Sequence, residues 1–438
     1  MDTPICDFVQ KYIHSGTMRL HMPGHKGKGP LGCESLDITE VAGADSLYEG
    51  EGIIAQSEAN ASSLFNCPTF YSTEGSSQCI RAMLYLVTRS NRRIAAARNV
   101  HKAFLSAAAL LDLDVDWLYP ENESNYLSCR ISEKELERYF KNCTELPAAV
   151  YVTSPDYLGN MLNIAALAEV CHQHSIPLIV DNAHGAYLKF LSNNLHPMDQ
   201  GADLCCDSAH KTLPVLTGGA YLHIRDAAFA DEAKNALALF GSTSPSYLIL
   251  QSLDAANATL SDPAYIRNLK ELCLHLRDIR RKLQLHGISA ELGDEPLKIT
   301  LSPKAFGYTG TEIADHLRMH GVECEFSDPD FLVLMLTTAI SKEDLNKLVD
   351  LLTALPCRPP IASFPPTVSN AQNRISIRKA MLSLSEIILV SESEGRILAS
   401  ASVGCPPAVP FVVCGEIINQ KAIECFEYYG IPSVTVMK

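Results

Sequence analysis

Pro177-Leu178-Ile179-Val180-Asp181-Asn182-Ala183-His184-Gly185 carries an unbroken apolar run into an acidic residue and then into a turn. A short run without polar alternation fits a strand buried on both faces, since a half-exposed strand would place every second side chain in water. Such a strand needs parallel neighbours and covering helices, and the flanking sequence offers both. Helix-period segments alternate with further apolar runs: Gln78 to Thr88, Ala148 to Thr153, Ile164 to His174, Ala202 to Asp207 and Gly219 to Ile224. This alternation, from about Phe65 to Ile224, predicts βαβ units and an α/β fold with a mainly parallel sheet covered on both faces. Ligands of such sheets bind beyond the carboxyl ends of the strands, where Asp181 lies.

Further out, Ile80, Met83, Leu84 and Val87 recur on one face of a helix that starts at Gly75-Ser76-Ser77, after the strand-like Thr69 to Ser72. A second long helix is expected from Pro263 to Leu285, leading into a following α/β portion. The prolines of 356–360 and 365–366 read as a linker into a C-terminal unit. We therefore expect an N-terminal arm over 1–30, a large cofactor-binding domain over 31–260, a small α/β domain over 261–360 and a C-terminal domain over 361–438.

Composition narrows the function classes. With 47% apolar and 20% charged residues in a chain of 438, a globular protein of more than one unit is expected. The net charge of −14 argues against a nucleic-acid surface and leaves a field that favours cationic ligands. No basic segment followed by an apolar core opens the chain, and no apolar run is long enough to span a membrane, so a cytoplasmic protein is expected. The 15 cysteines are scattered without a Cys-x-x-Cys pair, which reads as reduced thiols rather than a disulfide framework. No metal site is expected.

Lys211 follows the run Ala202 to Cys206 in Ser208-Ala209-His210-Lys211-Thr212, at a strand end facing a crevice. A lysine joins an aldehyde cofactor when its amine is available in the neutral form; an isolated one is usually a solvated charge. Asp181, thirty positions earlier, is placed to hold a cofactor's pyridine nitrogen protonated or to cap the turn after it. Gly75-Ser76-Ser77 offers amides, hydroxyls and a helix N-terminus to a phosphate, or a simple serine cap. His101, after Ile94 to Ala97, stands at another strand end, fit to lie against an aromatic ring or to move a proton.

Taken in order, Gly75-Ser76-Ser77, Arg98-Asn99-x-His101-Lys102, Asp181-x-Ala183-His184-Gly185, Ser208-x-His210-Lys211-Thr212 and Ser242 to Tyr247 resemble the ornithine/lysine/arginine decarboxylases. His21 to Gly27, Asp45 to Gly52, Gly404-Cys405-Pro406-Pro407 and Pro410 to Glu416 are similar to that family as well. The resemblance implies the pyridoxal-phosphate-dependent transferase-like fold (fold type I) with a seven-stranded-type sheet. It implies a polyamine-pathway carboxy-lyase acting on arginine, lysine or ornithine as a homodimer or higher homo-oligomer. It makes Lys211 the Schiff-base lysine and Asp181 the pyridine-nitrogen partner, with Ala183 on one ring face and His101 on the other. Gly75, Ser76, Ser77, His184, Ser208 and His210 then belong to the cofactor site, and Ser242 reaches the phosphate from the partner subunit.

The chain departs from the family pattern at Asn182 (usually Glu), at Ala209 (usually Thr) and at Gly218-Gly219, where larger residues are common. Long members carry an extra N-terminal domain, so a short form is expected here. Asp45, Glu49 and Glu51 are the acidic residues expected to meet the distal cation of the substrate. An aminotransferase or other amino-acid lyase of the same fold is the alternative within the class, and a catalytically silent regulatory homologue the alternative outside it.

Overall fold

The computed structural model describes residues 1–121, 125–290, 293–366, 374–401 and 409–438. Gly404, Cys405, Pro406 and Pro407 lie outside the described residues. The strands of the main sheet are β1 (Thr69–Ser72), β2 (Arg93–Ala97), β3 (Asp114–Leu118), β4 (Val150–Thr153), β5 (Leu178–Asp181), β6 (Leu204–Asp207) and β7 (Ala220–Ile224). Their order, β1-β7-β6-β5-β4-β2-β3, is that of a seven-stranded sheet, as expected. The chain divides into two compact units, Met1–Arg89 with Pro177–Asn268, and Ser90–Ile176 with Leu269–Lys438.

In the first unit β5 and β6 are parallel and every residue of both is buried. That is the physical reason their sequences lack alternation: burying each Leu, Ile or Val stabilises by roughly 1.5–3 kcal/mol, and a polar residue there would forfeit that gain. The helix Ser76–Val87 turns Ile80, Met83, Leu84 and Val87 inward, the face read from their spacing. β7 breaks the parallel pattern, running antiparallel to both β6 and β1. Between β6 and β7 the only helix is the single turn Ala209–Thr212, and a parallel return needs a longer crossover. The first helix, Pro4–His14, has no side-chain cap from Thr3. Its first amides donate instead to Asp254, with Ile5 N and Cys6 N at 3.0 and 2.9 Å from Oδ2.

In the second unit β2 is parallel to both β3 and β4. After the helix Pro263–Leu285 come an antiparallel sheet of Lys298–Leu301, Leu332–Met335 and Phe326–Ser327, and a two-stranded sheet of Ser385–Leu389 with Ser433–Met437. Leu398, Phe411, Ile418, Phe426 and Val436 form the core beside the latter. Arg98, part of the family-like motif, is buried there with Glu416, Nη2 to Oε2 at 2.9 Å, and its guanidinium lies over the Trp117 ring. Among the described residues the cysteines are free thiols, and no helix is long and apolar enough to cross a membrane.

Candidate active site

β5 and β6 end side by side, with Asp181 opposite Cys206. Their chain continuations bring the candidate residues of the first unit together. Asp181 is 2% exposed and its Oδ1 accepts the amide of Ala183 at 3.2 Å, so the carboxylate caps the turn after the strand. The Cys206 thiol points at the same oxygen from 3.7 Å. Burial holds that thiol's pKa well above its ordinary value, so it stays a neutral donor. The turn Asn182–Gly185 then presents His184, whose Nε2 lies 2.9 Å from Lys211 Nζ. A buried imidazole and a half-buried lysine amine share one hydrogen bond at the mouth of two parallel strands.

The opposite wall is the start of the helix Ser76–Val87. Gly75 adopts φ +73°, a left-handed conformation that favours glycine, and a Cβ there would meet only Ser77 N, at 3.9 Å. Ser208 Oγ donates to Ser76 Oγ at 2.7 Å, so hydroxyls from two chain segments converge on that helix end. Ser77 is the next residue of the same turn. His210 Nδ1 lies 3.0 Å from Gly219 O; a carbonyl only accepts, so Nδ1 carries a proton. Ser242 is exposed, with its backbone amide against the Glu74 carboxylate of the same chain.

These groups fit pyridoxal phosphate: open space at Gly75 beside a helix N-terminus and paired serine hydroxyls for a phosphate, an amine for its aldehyde, and a buried carboxylate for a ring nitrogen. His101 belongs to the second unit, where it caps the helix Lys102–Leu111 by accepting Ala103 N at Nδ1, 3.1 Å away. Ala183 is buried, as a residue packed on a ring face would be.

The acidic loop is built differently from expectation. The Asp45 carboxylate accepts the amides of Ser46, Gly52, Ile54 and Ala55 and so caps the helix Ile53–Phe65. With both oxygens committed to backbone, Asp45 is a structural residue; Glu49 and Glu51 are exposed.

One cluster was not read from the sequence. Asp207, His196 and His223 are fully buried, and Asp207 Oδ2 lies 3.0 Å from His196 Nε2 and 3.1 Å from His223 Nε2. Burial alone would raise the Asp207 pKa, but the charge and hydrogen bonds of the two imidazoles outweigh it and hold the carboxyl below its usual range. Burial lowers the His223 pKa despite that carboxylate. Asn182 Nδ2 donates to Asp207 Oδ1 at 2.7 Å. The signal was present: a histidine inside the apolar run of β7 must find a buried partner.

Residues 3–292 match the family model described as Orn/Lys/Arg decarboxylase, major domain. The arginine decarboxylase of Bacillus subtilis (strain 168) is 29% identical over 461 aligned positions, covering 96% of this chain and 92% of its own length. That of Halalkalibacterium halodurans is 28% identical, with coverages of 96% and 91%. Among solved structures, the lysine decarboxylase of Francisella novicida superposes with a TM-score of 0.82 at 16% identity, covering all of this chain and 81% of its own. At that identity the superposition speaks for the fold, which is fold type I of the pyridoxal-phosphate enzymes.

Proposed function

The chain belongs to the Orn/Lys/Arg decarboxylase family, and from that premise we propose that it removes the carboxylate of a basic amino acid as carbon dioxide, with pyridoxal phosphate anchored on Lys211. The observation that carries the residue assignment is the Lys211–His184 contact at the paired ends of β5 and β6. When bound, the cofactor supplies an aldehyde for attachment and a conjugated sink for the electrons of the broken bond. The chain's own residues do the rest. Lys211 offers the amine, and His184 Nε2 is placed to exchange a proton with it. Ser76, Ser77 and Ser208 hold the phosphate at the helix end, with Gly75 allowing its approach, His210 beside it and the partner subunit's Ser242 completing the cradle. Asp181 keeps a ring nitrogen protonated, and Ala183 packs on one face of the ring.

Arginine is the substrate we place first, because relatives aligned along nearly the whole chain carry that name. Glu49 and Glu51, exposed and acidic, are the residues of the N-terminal loop that we assign to its guanidinium. A homodimer in the cytoplasm belongs to the same reading. The dimer is supported by the N-terminal region, where Met18, Leu20 and Leu31 are about four-fifths exposed while His25 and Asp37 pair at 3.1 Å.

The test is carbon dioxide release from arginine, lysine and ornithine by protein reconstituted with the cofactor, with 2-oxo acid formation measured in parallel. Release with stoichiometric amine product is expected. Amino transfer to a 2-oxo acid without release would make the chain an aminotransferase, and neither product from any of the three would sink the proposal.

A further inference from the structure

The buried cluster of Asp207, His196 and His223 joins the two chain segments that follow β5 and end β6. Asn182 directly follows β5, and Asp207 is the last residue of β6. Asn182 N donates to Cys206 O at 3.0 Å, extending the ladder by one bond, and its side chain crosses to Asp207. Asp207 is held from behind by both imidazoles. His196 Nδ1 accepts Met198 N at 3.4 Å, so its Nε2 bears the proton and donates to the carboxylate. An ionised carboxylate only accepts, and this dictates that the Asn182 amide turns Nδ2 toward it.

With the amide so turned, Oδ1 faces Gly185. A Cβ at Gly185 would lie 2.0 Å from that oxygen, so the turn is folded tightly over the Asn182 side chain, and Gly185 N closes it on Asn182 O at 2.8 Å. Within the turn sits His184, the partner of Lys211. On the other strand, the residues after Asp207 are Ser208, bonded to Ser76, and Lys211, whose amide donates to Ser208 O at 2.9 Å.

We infer that Asp207 is a positioning residue for Lys211: through Asn182 it sets the Asn182–Gly185 turn, and with it the imidazole that meets the lysine amine. The inference rests on the assignment of Lys211 as the reactive lysine. It also gives a physical reason for Asn182, one of the positions where the chain departs from the family: a carboxylate there would face Asp207 directly.

The experiment compares Asn182→Asp, Asn182→Ala, Asp207→Asn and the exchange Asn182→Asp with Asp207→Asn. In the exchange the amide at 207 donates to the carboxylate at 182 and still offers an oxygen to both imidazoles, so every hydrogen bond has a partner. Two quantities are read. One is the affinity of the cofactor-free protein for pyridoxal phosphate. The other, measured without cofactor, is the pH profile of reductive methylation at Lys211, followed by peptide mass.

Each single variant should weaken cofactor binding by about tenfold or more and displace the Lys211 profile by at least about half a pH unit, leaving other lysines unchanged. The exchange should return both values toward wild type. If Asp207→Asn does not fold, Asn182→Ala, which leaves the imidazoles their acceptor, still decides. An unmoved Lys211 profile in Asn182→Ala, or an exchange no better than its parents, would overturn the inference. So would a stoichiometric metal ion in the purified protein, because the ligand atoms of His196, Asp207 and His223 lie within 4.8 Å of one another and an ion would displace both Nε2 protons. Failure of wild-type protein to take up pyridoxal phosphate at all would instead refute the assignment of the cofactor, and the methylation profile would still report on the contact.

Discussion

Asp207 in the first unit and Asp328 in the second are both buried carboxylates, and they are held in opposite ways. Asp207 receives an amide and two imidazole N–H groups, and its pKa falls. Asp328 receives only backbone amides, Asp330 N at 2.8 Å and Phe331 N at 2.7 Å, both on Oδ1. Among the described residues its Oδ2 has no hydrogen-bond partner, and its neighbour Asp330 is another acid, bonded to Lys304 and Tyr428. Burial pushes the Asp328 pKa up to about 6, with the amides pulling against it and the charge of Asp330 adding to it. Depth alone therefore does not decide what a buried acid does; its donors do. Asp207 keeps a charge in the interior of the first unit, and the site of Asp328 in the second makes a charge reluctant.

The largest effect that could break this contrast lies in the crevice. Lys211→Ala should reduce carbon dioxide release by at least about a thousandfold, worth roughly 4 kcal/mol, with an unchanged far-ultraviolet dichroism spectrum. Residual release at the wild-type rate would remove the first unit's claim to the chemistry.

Next in size, Asp207→Ala should cost about 3–5 kcal/mol of stability, because it strands an amide and two imidazole donors in a dry site. Denaturant titration followed by far-ultraviolet dichroism measures this. A loss below about 1 kcal/mol would mean that the cluster relaxes, and the contrast with Asp328 would shrink to one of geometry.

The third test uses pH, and the two acids have opposite signs. Asp328 holds its proton in the folded state up to about pH 6, whereas the unfolded chain releases it near 4. Stability of the second unit should therefore fall as pH rises between those values and stay lowered above them. Asp328→Asn keeps an oxygen for the two amides and should remove that slope, gaining on the order of 2–3 kcal/mol at pH 7 and nothing at pH 4. Trp117, the single tryptophan, belongs to the second unit and reports its unfolding by fluorescence. Asp207, with a lowered pKa, contributes stability above the unfolded value that is lost as pH drops below about 4. A common pH trend for both units would contradict the contrast.

The smallest effect sharpens it. Ser76→Ala removes the hydroxyl that we propose donates to the phosphate, and Ser208 keeps its own at the same helix end. Cofactor affinity should fall by roughly tenfold, about 1.4 kcal/mol, as measured by titration of cofactor-free protein.

The sequence made the strands legible where burial was complete. Leu178–Asp181 and Leu204–Asp207 announced themselves because nothing polar interrupts them, and the helix Ser76–Val87 because its buried face repeats at helical spacing. β3 escaped notice: Asp114-Val115-Asp116-Trp117-Leu118 alternates acids with apolar residues at a sheet edge, where only one neighbour covers it. Asp45 illustrates the other limit. Its acidity and its place in a glycine-containing loop suggested a ligand, but a helix start without its own cap competes for the same carboxylate, and local amides won. Asp207 remained hidden because its partners, His196 and His223, come from a loop and from an antiparallel strand whose return toward β6 no local pattern encodes.

Gly218 shows what the crevice demands of later change. It adopts φ +99°, its carbonyl accepts Gly75 N at 2.7 Å, and a Cβ there would come within 2.9 Å of Thr73 O. The loop after Lys211 and the turn that begins the helix Ser76–Val87 are thus in backbone contact with no side chain between them. Mutational drift at 218 is then not a local event. A larger residue becomes accessible only along lineages in which the 73–75 turn has already moved away, so these two stretches should be exchanged together, as one cassette, when segments are shuffled between homologues.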